Sequence, residues 1–476
     1  MDSKLGKLET APAIVIMAAG KGTRLKSKRP KVLHEIGGKP LLLHVIAAAS
    51  ELVAAQDIVV VIGHQADRVR AAVEHTGVRF VEQTEQRGTG HAVQSAAEAI
   101  AGYEHFLVLS GDVPLITPRT IDALWKFHRE QQAAMTLVSA DMDDPRNYGR
   151  VIRKSQDSAD VVAIVEQACL KPEQLALREI NMGMYAFTTA PMLAHMGRLK
   201  TENPHGEFYL TDMAELLDAA GERVVAFKTP EFEELLGVNT IAELAALDAT
   251  LRAHTARRLM DDGVTIFKPE TCVIDADVEV GPDTVIEPFV QLRGNTRIGS
   301  DSTIRSYTVI QNCIIGDEVE VLQGCILSQS KVDNGARLGP YSHLRPGCEI
   351  GEKAHMGNFV EGKKVRLGKG AKANHLTYLG DAEVGEGSNI GAGTITCNYD
   401  GVNKHRTLIG KNAFVGSDST LVAPVSIGDG AYIGAGSCIT KEVPADALAV
   451  GRARQMVKPN WAAARRARRE TKDVHK

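Results

Sequence analysis

Residues 427–439 read IGDGAYIGAGSCI, and in this stretch an aliphatic side chain returns at every sixth position. The same spacing recurs in three runs of the second half of the chain, at 280–304, 332–356 and 409–439, and glycine often follows the repeated residue. The pattern predicts a triangular coil with one short strand on each side. Each aliphatic side chain would point into a narrow prism, and small residues would turn the corners.

An antiparallel β-sandwich is the alternative fold for this half, but its strands would alternate with period two and carry hairpin signals. The composition favours the prism, because only 5% of the residues are aromatic and 44 are glycine, and a narrow core holds few large rings. We therefore predict a parallel β-helix of hexapeptide repeats over residues 261–476. Loops interrupt the repeat at 375–381 and 397–407, and insertions into a solenoid usually carry binding.

The first half alternates short apolar runs with amphipathic segments. The runs that read as buried strands are residues 14–17, 58–62, 78–81 and 106–109. The segments that read as helices are residues 41–53, 65–74, 91–100 and 120–130. This alternation predicts a Rossmann-like α/β domain over residues 1–238 with a mostly parallel sheet, whose ligands bind at the carboxyl ends of the strands. Residues 239–260 read as a helix that links the two halves.

Two cations stand in the glycine-rich turn after the first strand, where residues 18–24 read AAGKGTR. The turn lacks the P-loop pattern GxxxxGK[ST]. Its glycines would let backbone N–H groups approach phosphate oxygens, and Lys21 and Arg24 would neutralise their charge. A tight turn between strand and helix, with no ligand, is the alternative interpretation.

A carboxylate follows the fourth predicted strand, where Asp112 ends the sequence Ser110-Gly111-Asp112. Its position suits a magnesium ion that bridges phosphates, although an Asx-turn or a helix cap would also explain an aspartate there. Asn239 supplies an amide oxygen far downstream as a second ligand. Hard oxygen donors are those that Mg²⁺ prefers, with water and phosphate completing the shell.

The β-helix concentrates polar and cationic residues near its first interruption. Arg345 and Lys363 are eighteen positions apart, so stacked coils should place both cations on one face, where they suit a sugar phosphate. His375 is the candidate general base, because an imidazole titrates near neutrality and can take a proton from an attacking amine. An ordinary surface histidine is the alternative.

Several of these motifs together resemble a known family. Residues 18–24, followed by PK at 30–31 and GKP at 38–40, resemble the signature of sugar-1-phosphate nucleotidylyltransferases. The run NHLTYLGD at 374–381 resembles the acetyltransferase half of one branch of them. Over essentially its whole length the chain is similar to the bacterial family of bifunctional N-acetylglucosamine-1-phosphate uridylyltransferase / glucosamine-1-phosphate N-acetyltransferases. It departs from the family pattern at Met182, where threonine is expected, and at Asn374, where glycine is expected.

The resemblance implies a magnesium-dependent transfer of UMP from UTP to N-acetylglucosamine 1-phosphate in the first half. Arg24 and Lys31 would be catalytic, and Asp112 and Asn239 would hold the metal. The residues implied to bind UTP and the product UDP-N-acetylglucosamine are Met17, Ala18, Ala19, Gly20, Lys31, Gln83, Gly88, Thr89, Ser110, Gly111, Asp112, Gly149, Glu166, Asn181 and Asn239.

For the second half the resemblance implies acetyl transfer from acetyl-CoA to glucosamine 1-phosphate, with His375 as the catalytic base. The residues implied to bind glucosamine 1-phosphate are Arg345, Lys363, Tyr378, Asn389 and Lys404. Those implied to bind acetyl-CoA are Ala392, Asn398, Tyr399, Ser417, Ala435 and Arg452. The resemblance also implies a left-handed β-helix, a homotrimer and a precursor role in peptidoglycan and lipopolysaccharide synthesis.

Two rival functions share this domain order: a nucleotidylyltransferase with a regulatory β-helix, as in glucose-1-phosphate adenylyltransferases, and a non-catalytic scaffold, as in subunits of the eukaryotic translation-initiation exchange factor. A β-helix with only a regulatory role would not need the set of residues His375, Tyr378, Asn389 and Lys404. A non-catalytic scaffold would not need Lys21, Arg24, Asp112 and Asn239 together.

The remaining features predict a cytoplasmic protein. The net charge of −4 does not favour a nucleic-acid partner, although Arg465–Arg469 is locally basic. The seven cysteines contain no CxxC pair and favour free thiols in a reducing compartment. Residues 1–10 are polar and lack a signal-peptide core, and the apolar runs are too short for stable membrane insertion.

Overall fold

The computed structural model describes residues 11–155 and 158–473. The polar segment 1–10, in which the sequence shows no signal-peptide pattern, lies outside these described residues. The chain separates into two compact units, Met1–Arg252 and Ala253–Lys476. In the described residues, no helix combines the length and the apolar character that a membrane crossing needs.

The first unit contains a nine-stranded sheet. Its strands, in chain order, are β1 (Ala13–Met17), β2 (Ile58–Ile62), β3 (Arg79–Glu82), β4 (His105–Ser110), β5 (Met135–Asp141), β6 (Arg150–Arg153), β7 (Val161–Val165), β8 (Glu179–Thr188) and β9 (Val224–Lys228). The main order across the sheet is β9-β5-β8-β4-β1-β2-β3, with β6 and β7 attached beside β8. A separate small hairpin pairs Glu35–Ile36 with Lys39–Pro40.

Most neighbours in this sheet are parallel, and β8 is the exception in the main order, since it runs antiparallel to β4 and β5. All five residues of β2 are completely buried, as expected for a strand covered on both faces. The parallel arrangement brings the ends of β1 and β4 to one edge of the sheet, because Met17 is paired with Ser110. The loops after these two strands therefore lie side by side.

The helices of the described chain are α1 (Leu41–Ser50), α2 (Ala66–Val73), α3 (Thr89–Ser95), α4 (Ala97–Ile100), α5 (Pro118–Gln131), α6 (Thr189–His195), α7 (Met213–Ala219), α8 (Ile241–Asp261) and α9 (Trp461–Asp473). The predicted single helix over residues 91–100 is wrong. It divides at Ala96, whose N–H donates to the carbonyl of Val93 and so tightens the turn. The strand predicted at 78–81 begins one residue later, at Arg79.

The second unit is a prism of three parallel sheets. The strands of the first sheet are Thr265–Ile266, Val285–Ile286, Thr303–Ile304, Glu320–Val321, Arg337–Leu338, His355–Asn358, Lys372–His375, Asn389–Ile390, Phe414–Val415, Tyr432–Ile433 and Leu448–Ala449. Those of the second are Val273–Ile274, Gln291–Arg293, Val309–Gln311, Ile326–Ser328, His343–Leu344, Glu361–Lys363, Tyr378–Gly380, Ile395–Cys397, Thr420–Val422 and Cys438–Ile439. Those of the third are Glu279–Val280, Arg297–Ile298, Ile314–Ile315, Lys331–Val332, Glu349–Ile350, Arg366–Leu367, Ala382–Val384, Thr407–Ile409 and Val425–Ile427.

Each coil contributes one strand to each sheet, and the six-residue repeat fills the inside. Leu338, Leu344 and Ile350 stand on the three sheets of a single coil, and each is at most 1% exposed. Successive coils lie about 4.8 Å apart, the ordinary spacing of paired strands. A side chain at a given corner is therefore stacked directly over its equivalent in the next coil, which is how this fold builds columns of side chains.

A buried histidine in the first unit gives the stability of the protein a pH dependence. His128 on α5 is fully buried, with its Nδ1 2.8 Å from Thr136 Oγ1 and its Nε2 3.3 Å from His105 Nδ1. Burial, assisted by the neighbouring His105, lowers the pKa of His128 to about 3. The unfolded chain binds a proton at this position below about pH 6.5, whereas the folded chain does not.

We therefore expect the free energy of unfolding of the first unit to fall as the pH drops below about 6.5, by roughly 2–3 kcal/mol at pH 4.5 from this residue. The variant His128→Gln removes the titration and should show a flatter dependence, measured by denaturant unfolding between pH 7 and pH 4.5. The exposed His75→Gln is the matched control and should follow the wild type. Equal pH dependences for the wild type and His128→Gln would contradict this interpretation.

Candidate active sites

A cavity of about 530 Å³ opens at the sheet edge where β1 and β4 end. Most of the residues predicted to bind the nucleotide line it: Met17, Ala18, Ala19, Gly20, Lys31, Gln83, Gly88, Thr89, Ser110 and Asp112. Six predicted residues are not among its lining residues: Arg24, Gly111, Gly149, Glu166, Asn181 and Asn239. Arg24 is exposed on the short turn Thr23–Leu25, and Gly111 uses its N–H to bond the carbonyl of Met17 at 3.0 Å.

The glycine-rich turn closes over a lysine. Gly22 has a φ of 60°, and a Cβ there would lie 2.6 Å from Cβ of Lys31. A residue with a side chain would push Lys31 away, so the glycine is required for this close approach. The turn thereby holds the ammonium group of Lys31 at the side of the cavity.

Lys31 lies between the two predicted metal ligands. Its Nζ forms an ion pair with Asp112 and donates a hydrogen bond of 3.0 Å to Oδ1 of Asn239. Hydrogen bonds from the backbone hold both partners in place. Val238 N–H donates to the carbonyl of Asp112 at 3.0 Å, and Asn239 N–H donates to the side-chain carboxylate of Glu243 at 2.6 Å. A carboxylate and an amide oxygen from distant parts of the sequence thus converge on one cationic group.

This donor set fits a magnesium ion. Hard oxygen ligands from one or two side chains are sufficient for Mg²⁺, which keeps several waters and takes further oxygens from substrate phosphates. Among the described residues, no cluster of three or more His, Cys, Asp or Glu side chains is arranged to hold a metal ion. A metal bound by Asp112 and Asn239 would therefore depend on water and phosphate for the rest of its shell.

Three of the residues implied to bind UTP, Gln83, Gly88 and Thr89, are held by several contacts. Gln83 is nearly buried, and its Nε2 donates to the carbonyl of Gly88 at 3.0 Å and lies 3.1 Å from Nδ1 of His91. Gly88 has a φ of 107°, and a Cβ there would lie 2.5 Å from the carbonyl oxygen of Phe208. Thr89 Oγ1 accepts a bond of 3.0 Å from Leu210 N–H. These contacts give the cavity a rigid wall.

Three residues implied to bind UDP-N-acetylglucosamine, Gly149, Glu166 and Asn181, lie close together. Asn181 N–H donates to the carbonyl of Gly149 at 2.9 Å, and a Cβ on Gly149 would lie 3.6 Å from Oε2 of Glu166. Glu166 Oε1 accepts from Thr211 Oγ1 at 3.0 Å, and burial raises the pKa of its carboxyl group. Met182, the departure from the family pattern, is buried in the core beside them.

One residue that holds this site together was missed at the sequence level. The guanidinium of Arg150 is buried and donates to the carbonyls of Leu177 at 2.9 Å and Tyr148 at 2.5 Å. It thereby fixes the segment before Gly149 against the segment before β8. Arg150 directly follows Gly149 in the sequence Tyr148-Gly149-Arg150, and this position could have drawn attention to it. The sequence does not show, however, that its side chain turns inward.

In the second unit the predicted cations lie together at the edge of the second sheet that leads to the third sheet; we call this its far edge. The backbone N–H of Arg345 donates to Gly362 at 2.8 Å, which places Arg345 beside Lys363. Lys363 Nζ lies 3.5 Å from Oδ2 of Asp381, which also accepts a bond of 2.5 Å from Asn398 Nδ2. Asp381 therefore contacts two of the predicted site residues, although it was not itself assigned a role from the sequence.

Tyr378 and Lys404 complete this group. Tyr378 begins the second-sheet strand that follows the strand of Lys363, and its hydroxyl extends toward Gly380 at the same edge. Lys404 reaches back from the loop after Tyr399, with which it forms an isolated bridge. The neighbouring amino group of Lys363 lowers the pKa of Lys404, as expected for two cations held close together.

His375 lies at the other edge of the second sheet, on the corner that joins it to the first. It is exposed, and its Nδ1 is 2.9 Å from Oδ1 of Asn358 in the previous coil. An amide oxygen can only accept, so Nδ1 donates and the proton stays on that nitrogen. Nε2 then carries the free lone pair that a general base needs. Asn358 was not assigned a role from the sequence.

Four of the predicted acetyl-CoA residues continue the column of His375 along this corner: Ala392, Ser417, Ala435 and Arg452. The register is fixed by bonds from Gly393 N–H to His375, from Asp418 N–H to Ala392 and from Gly436 N–H to Ser417. Arg452 Nη1 ends the column with a bond of 2.8 Å to the carbonyl of Ala435. The corner thus offers an extended track that begins at the candidate base.

One chain does not gather all the predicted residues at one point. Asn398 and Tyr399 lie at the far edge of the second sheet, away from the corner of Ala392. Asn389 is paired with Lys372, which lies three residues before His375 on the same strand. Asn389 is therefore at the opposite edge of the first sheet from His375, roughly 10 Å away along the strand direction. A single chain therefore does not bring all the residues predicted for acetyl transfer to one point.

Comparison with known proteins supports both halves of this description. Residues 14–262 match the model of the MobA-like NTP transferase domain, and residues 277–312 and 406–441 match the bacterial transferase hexapeptide model of six repeats. The fold is thus an α/β nucleotidyltransferase domain followed by a left-handed parallel β-helix.

Relatives cover nearly the whole chain. A "Bifunctional protein GlmU" of Koribacter versatilis is 61% identical over 97% of this chain and 98% of its own length. Proteins of the same name from Solibacter usitatus and Pelobacter propionicus are 51% and 45% identical, over 95% and 94% of this chain and 97% of their own lengths. The similarity therefore extends through both units and the helix between them.

Proposed function

This chain belongs to the family of bifunctional GlmU proteins, and from that premise we propose which of its residues carry each of two reactions. The protein is a bifunctional enzyme of UDP-N-acetylglucosamine synthesis, a glucosamine-1-phosphate N-acetyltransferase and an N-acetylglucosamine-1-phosphate uridylyltransferase that serves cell-wall synthesis. The observation that carries this conclusion is the 61% identity over 97% of the chain. We assign uridylyl transfer to residues 1–238, acetyl transfer to residues 261–476 and the connection to the helix between them.

In the first reaction a phosphate oxygen of N-acetylglucosamine 1-phosphate attacks the α-phosphorus of UTP, and pyrophosphate leaves. Such a transfer needs positioning and neutralisation of charge more than acid–base groups. We assign the neutralisation to Lys31, whose ammonium group lines the cavity, and to Arg24, which would have to reach it from the neighbouring turn. Asp112 and Asn239 would hold Mg²⁺, which supplies further positive charge to the phosphates when bound.

We assign the two substrates of this step to the cavity and to a second group of residues in the first unit. Because the amide nitrogen of Gln83 is used within the fold, we assign contact with the uracil N3–H to its carbonyl oxygen. Gly88 and Thr89 form the flat wall beside it, and Met17 to Gly20 face the phosphates. Gly149, Glu166 and Asn181 are assigned to the acetamido sugar, with Arg150 as a positioning residue.

In the second reaction the amine of glucosamine 1-phosphate attacks the thioester carbonyl of acetyl-CoA. Nε2 of His375 takes the proton that the nitrogen loses, a new C–N bond forms, and the C–S bond breaks to release coenzyme A. Arg345 and Lys363 hold the sugar phosphate, with Lys404 beside them. Acetyl-CoA lies along the column from Ala392 to Arg452, where backbone groups near Ser417 are available to the developing oxyanion.

We propose that the acetyl-transfer site is completed between copies of the chain in a homotrimer. The support is the position of Asn389, which lies on another face of the prism than Lys363, and of Asn398, which lies at another corner than Ala392. We place the enzyme in the cytoplasm, where UTP and acetyl-CoA are available and where the seven free cysteines stay reduced.

We assign Asn358 as the residue that positions the imidazole of His375, the proposed general base. Asn358→Leu removes the acceptor that keeps the proton on Nδ1 of His375, so kcat for acetyl transfer should fall about 10–100-fold. The acid limb of its pH–rate profile should shift as well, which a merely structural defect would not cause. Asn358→Asp keeps an acceptor and should restore much of the rate. An unchanged rate and profile for Asn358→Leu would contradict the assignment.

The two half-reactions test the proposed function directly. With UTP, N-acetylglucosamine 1-phosphate and Mg²⁺, the chain should release pyrophosphate, and chelation of the metal should stop the release. With acetyl-CoA and glucosamine 1-phosphate, it should release a free thiol, detected colorimetrically. A chain that performs the first reaction but not the second would be a nucleotidylyltransferase with a regulatory coil, and the proposal would fail.

A further inference from the structure

Lys372 stands on the outer face of the first sheet, directly beside Asn389. The two residues are paired on neighbouring strands, so their Cα atoms lie about 4.8 Å apart. The residues that follow them, Ala373 and Ile390, are buried inside the prism. Because successive side chains of a strand point to opposite faces, Lys372 and Asn389 both point outward on the same face. Lys372 was not assigned a role from the sequence.

The charged residues further down this face neutralise one another. Glu320 forms ion pairs with Arg305 at 3.1 Å and with Arg337 at 3.0 Å. Arg305 also pairs with Glu287 at 3.0 Å. Two carboxylates thus compensate two guanidinium groups, and this network carries no net charge.

The charge of Lys372 is not compensated in this way. Its neighbour in the column is His355, whose pKa is lowered by burial and further by Arg337 and Lys372, so the imidazole is uncharged near pH 7. Among the described residues, the ammonium group of Lys372 has no ion-pair partner and no side-chain hydrogen bond. This face of the first sheet therefore carries one positive charge without a partner, and it lies next to a residue assigned to glucosamine 1-phosphate.

The other residues assigned to the sugar phosphate supply too little positive charge for it. Arg345, Lys363 and Lys404 are three cations, but Arg345 is paired with Glu361 at 3.2 Å and Lys363 lies 3.5 Å from Asp381. The group as a whole therefore has a net charge of one. A phosphate monoester carries about −1.5 to −2 at pH 7, because its second pKa is about 6. One further cation would complete the balance.

The position of Asn389 indicates how Lys372 would reach this group. In one chain Asn389 and Lys363 lie on different faces of the prism, and the proposed homotrimer would bring Asn389 of one copy to Lys363 of another. Lys372 would arrive with Asn389, and its flexible four-carbon stem can adjust the place of its charge. We propose that Lys372 is a further substrate-binding residue, which contacts the phosphate of glucosamine 1-phosphate during acetyl transfer. This inference rests on the proposed function.

Lys372→Met tests the proposal, because it keeps most of the stem and removes only the charge. The side chain is exposed, so the fold should survive the change. We expect KM for glucosamine 1-phosphate to rise about 10–100-fold, as for the loss of one hydrogen bond to a charged group. KM for acetyl-CoA and the rate of uridylyl transfer should stay at their wild-type values. Lys372→Arg keeps a cation and should restore most of the affinity.

The matched control is Lys331→Met, which removes another exposed lysine of the β-helix, on the third sheet. It should leave both KM values unchanged. Initial rates of thiol release, with each substrate varied in turn, give the two KM values. Calorimetric titration with glucosamine 1-phosphate alone should show the same weakening for Lys372→Met, without any contribution from acetyl-CoA.

Three results would overturn the proposal. The first is an unchanged KM for glucosamine 1-phosphate in Lys372→Met. The second is a rise in KM for acetyl-CoA instead, because the lysine would then serve the phosphates of coenzyme A. The third is an equal rise for Lys331→Met, which would indicate a general effect of the charge of the protein. The proposed function fails separately, through a wild type that releases no thiol from acetyl-CoA.

Discussion

Lys31→Ala is expected to lower kcat/KM for uridylyl transfer by about 10³-fold or more while leaving acetyl transfer at the wild-type rate. The ammonium group of Lys31 lines the cavity and contacts both Asp112 and Asn239, so it lies where the proposed site would bring phosphate and metal together. Removing one positively charged group that faces a transferring phosphoryl centre commonly costs two to five orders of magnitude. The measurement is pyrophosphate release under saturating UTP and Mg²⁺.

The control for this variant is Lys28→Ala, which removes an exposed lysine from the same loop and should leave kcat/KM unchanged. Acetyl transfer in the same preparation reports that the chain is folded, because that reaction belongs to the other unit. A Lys31→Ala enzyme with wild-type-like uridylyl transfer would refute the assignment of the cavity as the catalytic site.

His375→Ala is expected to lower kcat for acetyl transfer by about 10³-fold and to spare uridylyl transfer. General-base catalysis contributes about 10²–10⁴-fold, and in this geometry Nε2 of His375 is the atom left free by the bond from Nδ1 to Asn358. The measurement is thiol release from acetyl-CoA with glucosamine 1-phosphate as the acceptor.

The exposed His254→Ala serves as the matched control and should retain both activities. If His375→Ala retained acetyl transfer, His375 would not be the general base, and another group would have to accept the proton of the attacking amine. Loss of both activities would instead indicate a folding defect, which unfolding curves of the same preparation would reveal.

The sequence alone was sufficient for the β-helix, because a six-residue period has one simple structural solution and the core residues of each coil repeat it. It was less informative for the first unit. The long antiparallel strand β8 interrupts an otherwise parallel main sheet, and its apolar content does not distinguish strand direction. The break at Ala96 likewise depends on local hydrogen bonds that composition does not encode.

The site residues were assigned mainly through resemblance, and the structure explains why the residues themselves were insufficient. Lys31 and Asn239 are 208 positions apart, so only the fold brings them to one point. Asn358, Arg150 and Asp381 contact other residues or backbone carbonyls, and nothing in their sequence motifs reveals a partner. Arg345 and Lys363 were the exception, since the eighteen-residue coil predicts their proximity directly.

We expect the β-helix to make the substrate that the first unit consumes. One coupled experiment tests it: glucosamine 1-phosphate, acetyl-CoA, UTP and Mg²⁺ are mixed with the purified chain, and the phosphorus-31 NMR spectrum is followed with time. We expect that N-acetylglucosamine 1-phosphate appears first and is then converted to UDP-N-acetylglucosamine with release of pyrophosphate. Unchanged glucosamine 1-phosphate, or a UDP-sugar formed without acetyl-CoA, would contradict it.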